Sequence, residues 1–188
     1  GSEMCIRDSV YADLFRFPWL KYGIDAPSGG QEYMAQIDYT PSRNYSAYLR
    51  YKYRQKEKNG TFENDNLLKI NTCKQHRIRF QQVYNFSSPF IFKTSLDGIL
   101  FDDPIKKLNK GIMISQSIGW KPTTLPLQID GYLAWFYTDD YNSRVSSYEK
   151  NILYAFNMPF FYGDGMRFAL TFRLDIWRRL SLSAKLAY

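Results

Sequence analysis

The sequence predicts an all-β protein: an antiparallel up-and-down transmembrane β-barrel that is incomplete, with about nine or ten meander strands. Three observations favour this fold. Apolar and polar residues alternate in runs of about ten residues, the length of a strand that crosses a bilayer at a tilt. Short turns alternate with long loops along the chain, as in outer-membrane barrels. Aromatic residues make up 18% of the sequence and cluster near the ends of the runs.

The first nine residues, GSEMCIRDS, do not alternate and lack the apolar core of a signal peptide. Their codons can be written to resemble the transposon-end adapter of sequencing libraries. We therefore expect residues 1–9 to be a non-native, adapter-derived segment outside the fold, and residues 10–188 to be a partial outer-membrane β-barrel. Because an open barrel exposes unpaired strand edges, we expect that this piece cannot insert and close alone.

The clearest alternation lies in YSAYLRYKYRQK, residues 45–56, where Leu49 and Tyr51 share one face and Arg50 and Lys52 share the other. The same period of two predicts strands at residues 75–86, 90–101, 111–121, 127–138, 166–176 and 180–188, with weaker members at residues 10–17 and 31–40. From residue 10 onward, no stretch has the pattern of a long amphipathic helix.

The connections between these runs alternate in length. The short ones are residues 41–44, 87–89, 122–126 and 177–179, and the long ones are residues 18–30, 57–74, 102–110 and 138–165. All short turns fall on one side if the runs are successive hairpins. Within the last long loop, residues 148–156 are predicted to form an additional strand or a rim hairpin.

Basic side chains on the polar parity are the candidate functional set. The net charge of +7 is compatible with nucleic acid, an anionic membrane surface or a cation-lined lumen. The residues predicted to face the lumen are the basic Arg50, Lys52, Arg54, Arg77, Arg79, Lys93, Arg167, Arg173 and Lys185, and the acidic Asp97, Asp130 and Asp175. Such a lumen favours anions. The alternative is a plugged, non-conducting barrel whose excess charge is neutralised elsewhere.

Aromatic residues near the strand ends are predicted to form a girdle where hydrocarbon meets headgroups. They are Tyr45, Tyr84, Phe86, Trp120, Trp135, Tyr137 and Tyr188. A soluble β-sandwich also has alternating strands, so alternation alone does not separate the two folds.

Catalytic and metal-binding patterns are weak, and we predict no catalytic residue, no metal site and no cofactor. His76 shares the apolar parity with Ile78, and Cys73 is a lone thiol without ligands at metal spacing. Glu149 and its neighbouring loop carboxylates are expected to be solvated. Direct nucleic-acid binding is not expected either, because tyrosines and arginines of the strands fall mainly on opposite faces.

Four stretches carry a resemblance to a known family: DLFRFPWLKYGIDAPSGG, TPSR, RVSSYEKNILYAF and FYGDGMRFALTFR. They resemble Gram-negative outer-membrane β-barrels of the helix-hairpin-helix-domain-containing type, and the resemblance covers nearly everything from Val10 to Tyr188. It implies location in the cell outer membrane, with outer-membrane lipid and the barrel-assembly machinery as partners. It also implies an N-terminal periplasmic domain and C-terminal closing strands that this chain lacks. It carries over no catalytic or binding residue.

The functional expectation is therefore a fragment of a barrel with a pore, transport or membrane-anchoring role and a cation-lined lumen. The alternative is a soluble β-sandwich binding module whose basic face takes an anionic ligand. An enzymatic role is not predicted.

Overall fold

The structure is a computed structural model that describes residues 5–18, 24, 26–62, 65–86, 89–104, 108–152, 158–177 and 180–188. Its strands are β1 (Cys5–Phe17), β2 (Ser28–Ser42), β3 (Tyr45–Phe62), β4 (Asp65–Phe86), β5 (Phe90–Asp102), β6 (Asn109–Trp120), β7 (Leu127–Thr138), β8 (Val145–Ser146), β9 (Phe160–Phe161), β10 (Asp164–Trp177) and β11 (Leu180–Ala187). A single 3₁₀ turn, Tyr141–Ser143, is the helical segment found in the part of the chain described.

Nine of these strands form one antiparallel sheet in the order β1-β2-β3-β4-β5-β6-β7-β10-β11, and β8 pairs with β9 in a small ribbon. Each strand of the large sheet therefore pairs with its neighbours along the chain, apart from the ribbon strands. This confirms the predicted all-β, antiparallel up-and-down arrangement. Within the described residues, β1 and β11 each pair on one side only, so the sheet is not closed.

The long loop predicted at residues 57–74 is instead the end of a hairpin. Glu57 pairs with Thr72 and Lys58 with Asn71, and the pairing continues to Phe62 and Asp65. The apolar–polar alternation fades there, but backbone hydrogen bonding needs no apolar face. The strands β3 and β4 therefore reach 18 and 22 residues.

The first strand is longer than the one predicted at residues 10–17 and includes residues 5–9; that residues 1–9 are adapter-derived stays a prediction. β1 begins at Cys5, which pairs with Thr40, and the register continues without a break to Phe17 and Ser28. Residues 5–9 are exposed, so side-chain burial does not hold them. They pair because β2 offers a full row of backbone donors and acceptors, which any extended segment can use.

The two faces of the large sheet differ in the polarity and exposure of their side chains: the apolar side chains are exposed and polar side chains are buried. One face, here called the apolar face, carries exposed large side chains such as Leu96, Ile114 and Leu133, the last 46% exposed. The opposite face, here called the polar face, holds the buried side chains of Asp97 and Ser115. Alternation places these sets on opposite sides, since successive residues of a strand point to opposite faces.

Burial of the polar face comes from the chain that follows β7. Residues 139–152 and 158–163, here called the interior segment, lie against the polar face of β5, β6, β7 and β10. Their contacts form the main buried apolar cluster: Ile99, Met113, Tyr132, Ala134, Val145, Phe161 and Ala169. The two parts of the segment are connected by the β8–β9 ribbon, in which Val145 pairs with Phe161.

The 3₁₀ turn at the start of the interior segment approaches β6 very closely. A Cβ at Gly111 would lie 2.3 Å from the carbonyl oxygen of Ser143, so this position needs a glycine. Asp140 caps the turn, because its carboxylate accepts a hydrogen bond from the backbone N–H of Tyr141.

The additional strand predicted at residues 148–156 is not found in residues 148–152, which have no regular structure, and residues 153–157 lie outside the described part. A two-residue ribbon forms instead at residues 145–146 and 160–161. Residues 148–152 are held by side chains of the large sheet, such as Arg167 and Thr171, and not by backbone pairing with another strand.

Candidate functional site

The charged residues predicted to face a lumen all lie on the polar face of the sheet. The pairing registers place there the basic residues Arg50, Lys52, Arg54, Arg77, Arg79, Lys93, Arg167, Arg173 and Lys185, and the acidic residues Asp97, Asp130 and Asp175. That this face lines a lumen stays a prediction.

Like charges oppose each other directly between β3 and β4. Arg50 pairs in register with Arg79, and Lys52 pairs with Arg77. Like charges at directly opposed positions of an antiparallel pair destabilise the sheet. The two adjacent pairs therefore concentrate positive charge on the polar face, and acids on neighbouring strands must offset it.

Two carboxylates from the flanking strands neutralise part of this charge. Asp97 on β5 accepts from the guanidinium of Arg79, with 2.5 Å between Oδ1 and Nε. Glu32 on β2 lies 2.6 Å from the ammonium of Lys52 and 3.4 Å from Nε of Arg54. Among the described residues, Arg77 has no carboxylate within 4 Å, so a cationic excess remains at the centre of the β3–β4 pair.

Glu149 on the interior segment is the most strongly engaged acid of the polar face. Its carboxylate is 0% exposed and lies 2.9 Å from Nε of Arg167 on β10 and 3.0 Å from Nζ of Lys185 on β11. The second guanidinium nitrogen of Arg167 donates at 3.3 Å, and Lys185 also donates to Asn151 at 2.6 Å. Burial acts to raise the pKa of Glu149, but the hydrogen bonds from Arg167 and Lys185 outweigh it and the pKa is lowered.

Further polar contacts hold the interior segment on the sheet. A guanidinium nitrogen of Arg79 donates to the carbonyl oxygen of Ser146 at 2.8 Å. The hydroxyl of Thr171 donates to the carbonyl oxygen of Lys150 at 3.2 Å, and the ammonium of Lys150 lies 2.7 Å from the carboxylate of Asp130. Strands β4, β7, β10 and β11 thus all supply polar side chains to the segment.

The ion pair between Arg173 and Asp175 differs from these contacts. Its nitrogen and oxygen are 3.1 Å apart on the same strand, and both side chains are about half exposed. Solvent screens such a pair, so it contributes little to stability.

Two cavities of about 310 Å³ each open on the polar face. The first, here called the lysine cavity, is lined by Lys93, Lys121 and Lys150 beside Tyr132 and Tyr148. The second lies near the long-loop ends of β1 to β3, with Arg54, Lys56, Lys58 and Glu57 among its lining residues. In that second cavity, Glu57 already accepts from the backbone N–H of Gly29 at 2.7 Å.

Part of the predicted aromatic girdle lies at the short-turn ends of β3 to β6. Tyr45 and Tyr84 are cross-strand partners with ring centroids 6.4 Å apart, and Tyr84 and Phe86 are 5.8 Å apart. Phe86 pairs with Phe90, which in turn pairs with Trp120. These rings form a contiguous row near one edge of the apolar face.

The other predicted girdle residues lie elsewhere on the apolar face. Trp135 is in the middle of β7, opposite Ile114, and Tyr137 is near the long-loop end of the same strand. Tyr188 follows β11 and exchanges backbone hydrogen bonds of 2.9 Å with Phe168. These three side chains therefore do not form one row with those at the short turns.

His76 and Cys73 lie on opposite faces of β4, with Cys73 on the polar face in register with Lys56. His76 lies on the apolar face, where Nδ1 is 2.8 Å from the hydroxyl of Tyr51 and the imidazole packs 5.0 Å from the ring of Tyr53. Cys73 is buried within β4. In the part of the chain that the structure describes, no group of three or more histidine, cysteine or acidic residues is placed to hold a metal ion.

Sequence reasoning missed Glu149, because it treated the acids of the long loop as solvated. Asp139 fits that expectation in part: it is exposed, although its carboxylate accepts from the backbone N–H of Lys110. Glu149 is buried because the loop folds inward over the cationic strands. The excess of basic residues on the polar parity was the signal that an acid from a loop would be needed there.

Comparison with known proteins adds no relative: no family model, no curated protein and no solved structure matches the chain. Helices with the length and apolar character of a membrane span are not found among the described residues.

Proposed function

We propose that the chain forms part of the wall of an outer-membrane β-barrel, with its apolar face toward lipid and its polar face toward an interior that the interior segment partly fills. The observation that carries this proposal is the distribution of side chains between the two faces of the nine-stranded sheet: large apolar residues are exposed on one face, whereas on the other charged residues such as Asp97, Arg79 and Arg167 lie under the interior segment. A soluble protein rarely leaves a contiguous apolar surface of this extent uncovered.

Strand length supports the same proposal. β5, β6 and β7 contain 13, 12 and 12 residues, slightly more than the roughly 9–11 that span the hydrocarbon core at a tilt. Their apolar face presents Leu96, Ile114 and Trp135 in register, each exposed. The aromatic row at the short turns then corresponds to one interface of the membrane.

Three polar residues interrupt the apolar face in one row across β4, β5 and β6: Gln82, Thr94 and Gln116. The hydroxyl of Thr94 donates to the amide oxygen of Gln116 at 2.5 Å, and the hydroxyl of Tyr45 donates to that of Gln82 at 3.4 Å. Mutual hydrogen bonding lowers the cost of placing such groups in an apolar medium. The row is therefore compatible with a lipid-facing surface.

The interior charges favour a solute of negative sign. Arg77 has no carboxylate within 4 Å among the described residues, and it belongs to one of the two opposed pairs of like charge on β3 and β4. An interior lined with cations attracts anions and repels cations. We propose a pore or transport role for anions, with membrane anchoring as the role if the interior segment blocks passage.

Completion of the barrel requires partners for the free edges of β1 and β11. Unpaired edges are costly in lipid, because backbone groups find no water there. We propose that further strands pair with these edges in the membrane, and that the barrel-assembly machinery inserts the protein.

The deciding experiment is folding into liposomes of the urea-unfolded chain, joined to further strands that pair with the edges of β1 and β11, followed by alkaline washing and flotation. We expect the chain to float with lipid, to need detergent for extraction and to change its gel mobility on boiling. Recovery as a monomer in buffer without detergent would overturn the membrane proposal. The soluble β-sandwich with a basic, anion-binding face would then be the better description.

A further inference from the structure

The lysine cavity lies between the short-turn halves of β5, β6, β7 and β10 and the part of the interior segment at Tyr148 and Lys150. Its volume of about 310 Å³ is at the lower end of the range for small-molecule sites. Most of the wall comes from four strands, and the interior segment closes one side with Tyr148 and Lys150. The cavity therefore has the size of a site for one small molecule.

The charges around this cavity are unbalanced. Lys93, Lys121 and Lys150 line it, and the acid in its lining, Asp130, is engaged by Lys150 at 2.7 Å. Within the described residues, no carboxylate lies within 4 Å of the ammonium groups of Lys93 or Lys121. Two ammonium groups without a carboxylate in direct contact, Lys93 partly buried and Lys121 exposed, favour an anionic ligand at this cavity.

The rest of the lining is apolar and aromatic. Ile91, Tyr132, Tyr148 and Ala169 contribute to it, and the ammonium of Lys93 lies 5.8 Å from the centre of the Tyr148 ring. This cation–π contact orients Lys93 without neutralising it. A hydrated inorganic ion gains nothing from such walls, whereas an apolar body attached to an anionic group does.

Tyr132 also lines the cavity and is 7% exposed. Its ring adds buried apolar surface to the wall against which an apolar body can pack. The lining thus offers cations and an apolar wall.

We propose that the lysine cavity binds a small organic anion, a carboxylate with an apolar body, with Lys93 and Lys121 toward the carboxylate and Tyr132 and Tyr148 against the body. The role of this cavity as a binding site for a solute inside a barrel rests on the proposed function. Binding itself depends only on the polar face and the interior segment.

The test is calorimetric titration of the folded chain, in detergent micelles or in plain buffer if it is soluble there. Benzoate is the probe, benzamide the uncharged match, and acetate and inorganic phosphate the anions without an apolar body. We expect saturable binding of benzoate, and about tenfold weaker binding of the other three. Absence of saturable benzoate binding up to about 10 mM, or phosphate binding as tightly as benzoate, would overturn the proposal.

Variants locate the site. We expect Lys93→Gln to weaken benzoate binding about tenfold, while Lys110→Gln, on an exposed lysine outside the cavity, leaves it unchanged. Equal effects of Lys93→Gln and Lys110→Gln would refute the assignment. Far-UV circular dichroism of each variant shows that it is folded.

Flotation and titration give separate results. Benzoate binding by a chain that does not float would keep the cavity and reject the membrane role. Flotation without benzoate binding would support the membrane role and reject the ligand proposed for the cavity.

Discussion

Glu149 and Arg167 form a buried ion pair that joins the interior segment to the sheet, with 2.9 Å between Oε1 and Nε. Lys185 approaches the same carboxylate from the neighbouring strand at 3.0 Å. One acid from a loop thus neutralises two cations on adjacent strands. This contact holds the interior segment in position. It therefore also determines how much of the polar face the segment leaves uncovered.

Replacing Glu149 with Gln should loosen the interior segment. The change leaves the cations of Arg167 and Lys185 without a counter-charge. Because Arg167 is 25% exposed, we expect a cost of about 1–3 kcal/mol, that of losing a hydrogen bond to a charged group. We expect faster amide exchange in residues 139–152, measured by mass spectrometry, with little change in β5 and β6. Asp175→Asn is the control: its ion pair is half exposed, and its effect should stay within about 0.5 kcal/mol. Equal effects of the two variants would contradict the assigned role.

Acidification should release the same segment. The pKa of Glu149 is lowered in the folded chain, so its contribution is fully present above the ordinary glutamate pKa of about 4.3 and is lost as the pH falls through the lowered value. We expect exchange protection of residues 139–152 to fall below about pH 4. The Glu149→Gln variant should lack this component. An identical pH profile in both proteins would show that other groups control the segment.

A charge on the apolar face should hinder insertion far more than a charge on the polar face. Arginine near the bilayer midplane destabilises a barrel by about 2–4 kcal/mol, so Leu133→Arg should reduce folding into liposomes strongly. Ser181→Arg, on the polar face opposite Asp175 and near the short turn, is the control for the added charge and should have little effect. Urea titration in liposomes measures both. A small, equal loss for the two variants would argue against lipid contact at Leu133.

Two glycines provide a matched test of packing between β6 and the interior segment. Gly111→Ala would place a Cβ 2.3 Å from the carbonyl oxygen of Ser143 and should destabilise the chain by about 1–3 kcal/mol. Gly98→Ala meets nothing within 4 Å and should be neutral or stabilising by up to about 1 kcal/mol. Thermal unfolding of both variants decides. A neutral Gly111→Ala would show that the turn does not lie against β6.

The strands were predictable because alternation is a local property. In residues 45–56 the parity of Leu49 and Arg50 separates the two faces without any knowledge of neighbouring strands. Pairing partners were also predictable, since each strand is joined to the next by a turn and up-and-down order follows from sequential hairpins. The extension of β3 and β4 was missed, because the residues beyond Glu57 no longer alternate, although their backbones still pair.

The position of Glu149 was not predictable from the same reasoning. A loop acid in sequence can be solvated or folded inward, and only the placement of Arg167 and Lys185 on adjacent strands selects the second outcome. The lysine cavity likewise depends on residues from four strands and the interior segment, which no local pattern brings together.

By itself, then, the sequence determined the all-β class, the strand positions and which side chains share a face, because these depend on a period of two along one chain. Only the tertiary structure decided that residues 139–152 lie against the polar face, that Glu149 neutralises Arg167 and Lys185, and that Lys93 and Lys121 line one cavity. These arrangements depend on distances between residues far apart in sequence, and the balance of burial and charge that sets them exists only once the sheet has formed.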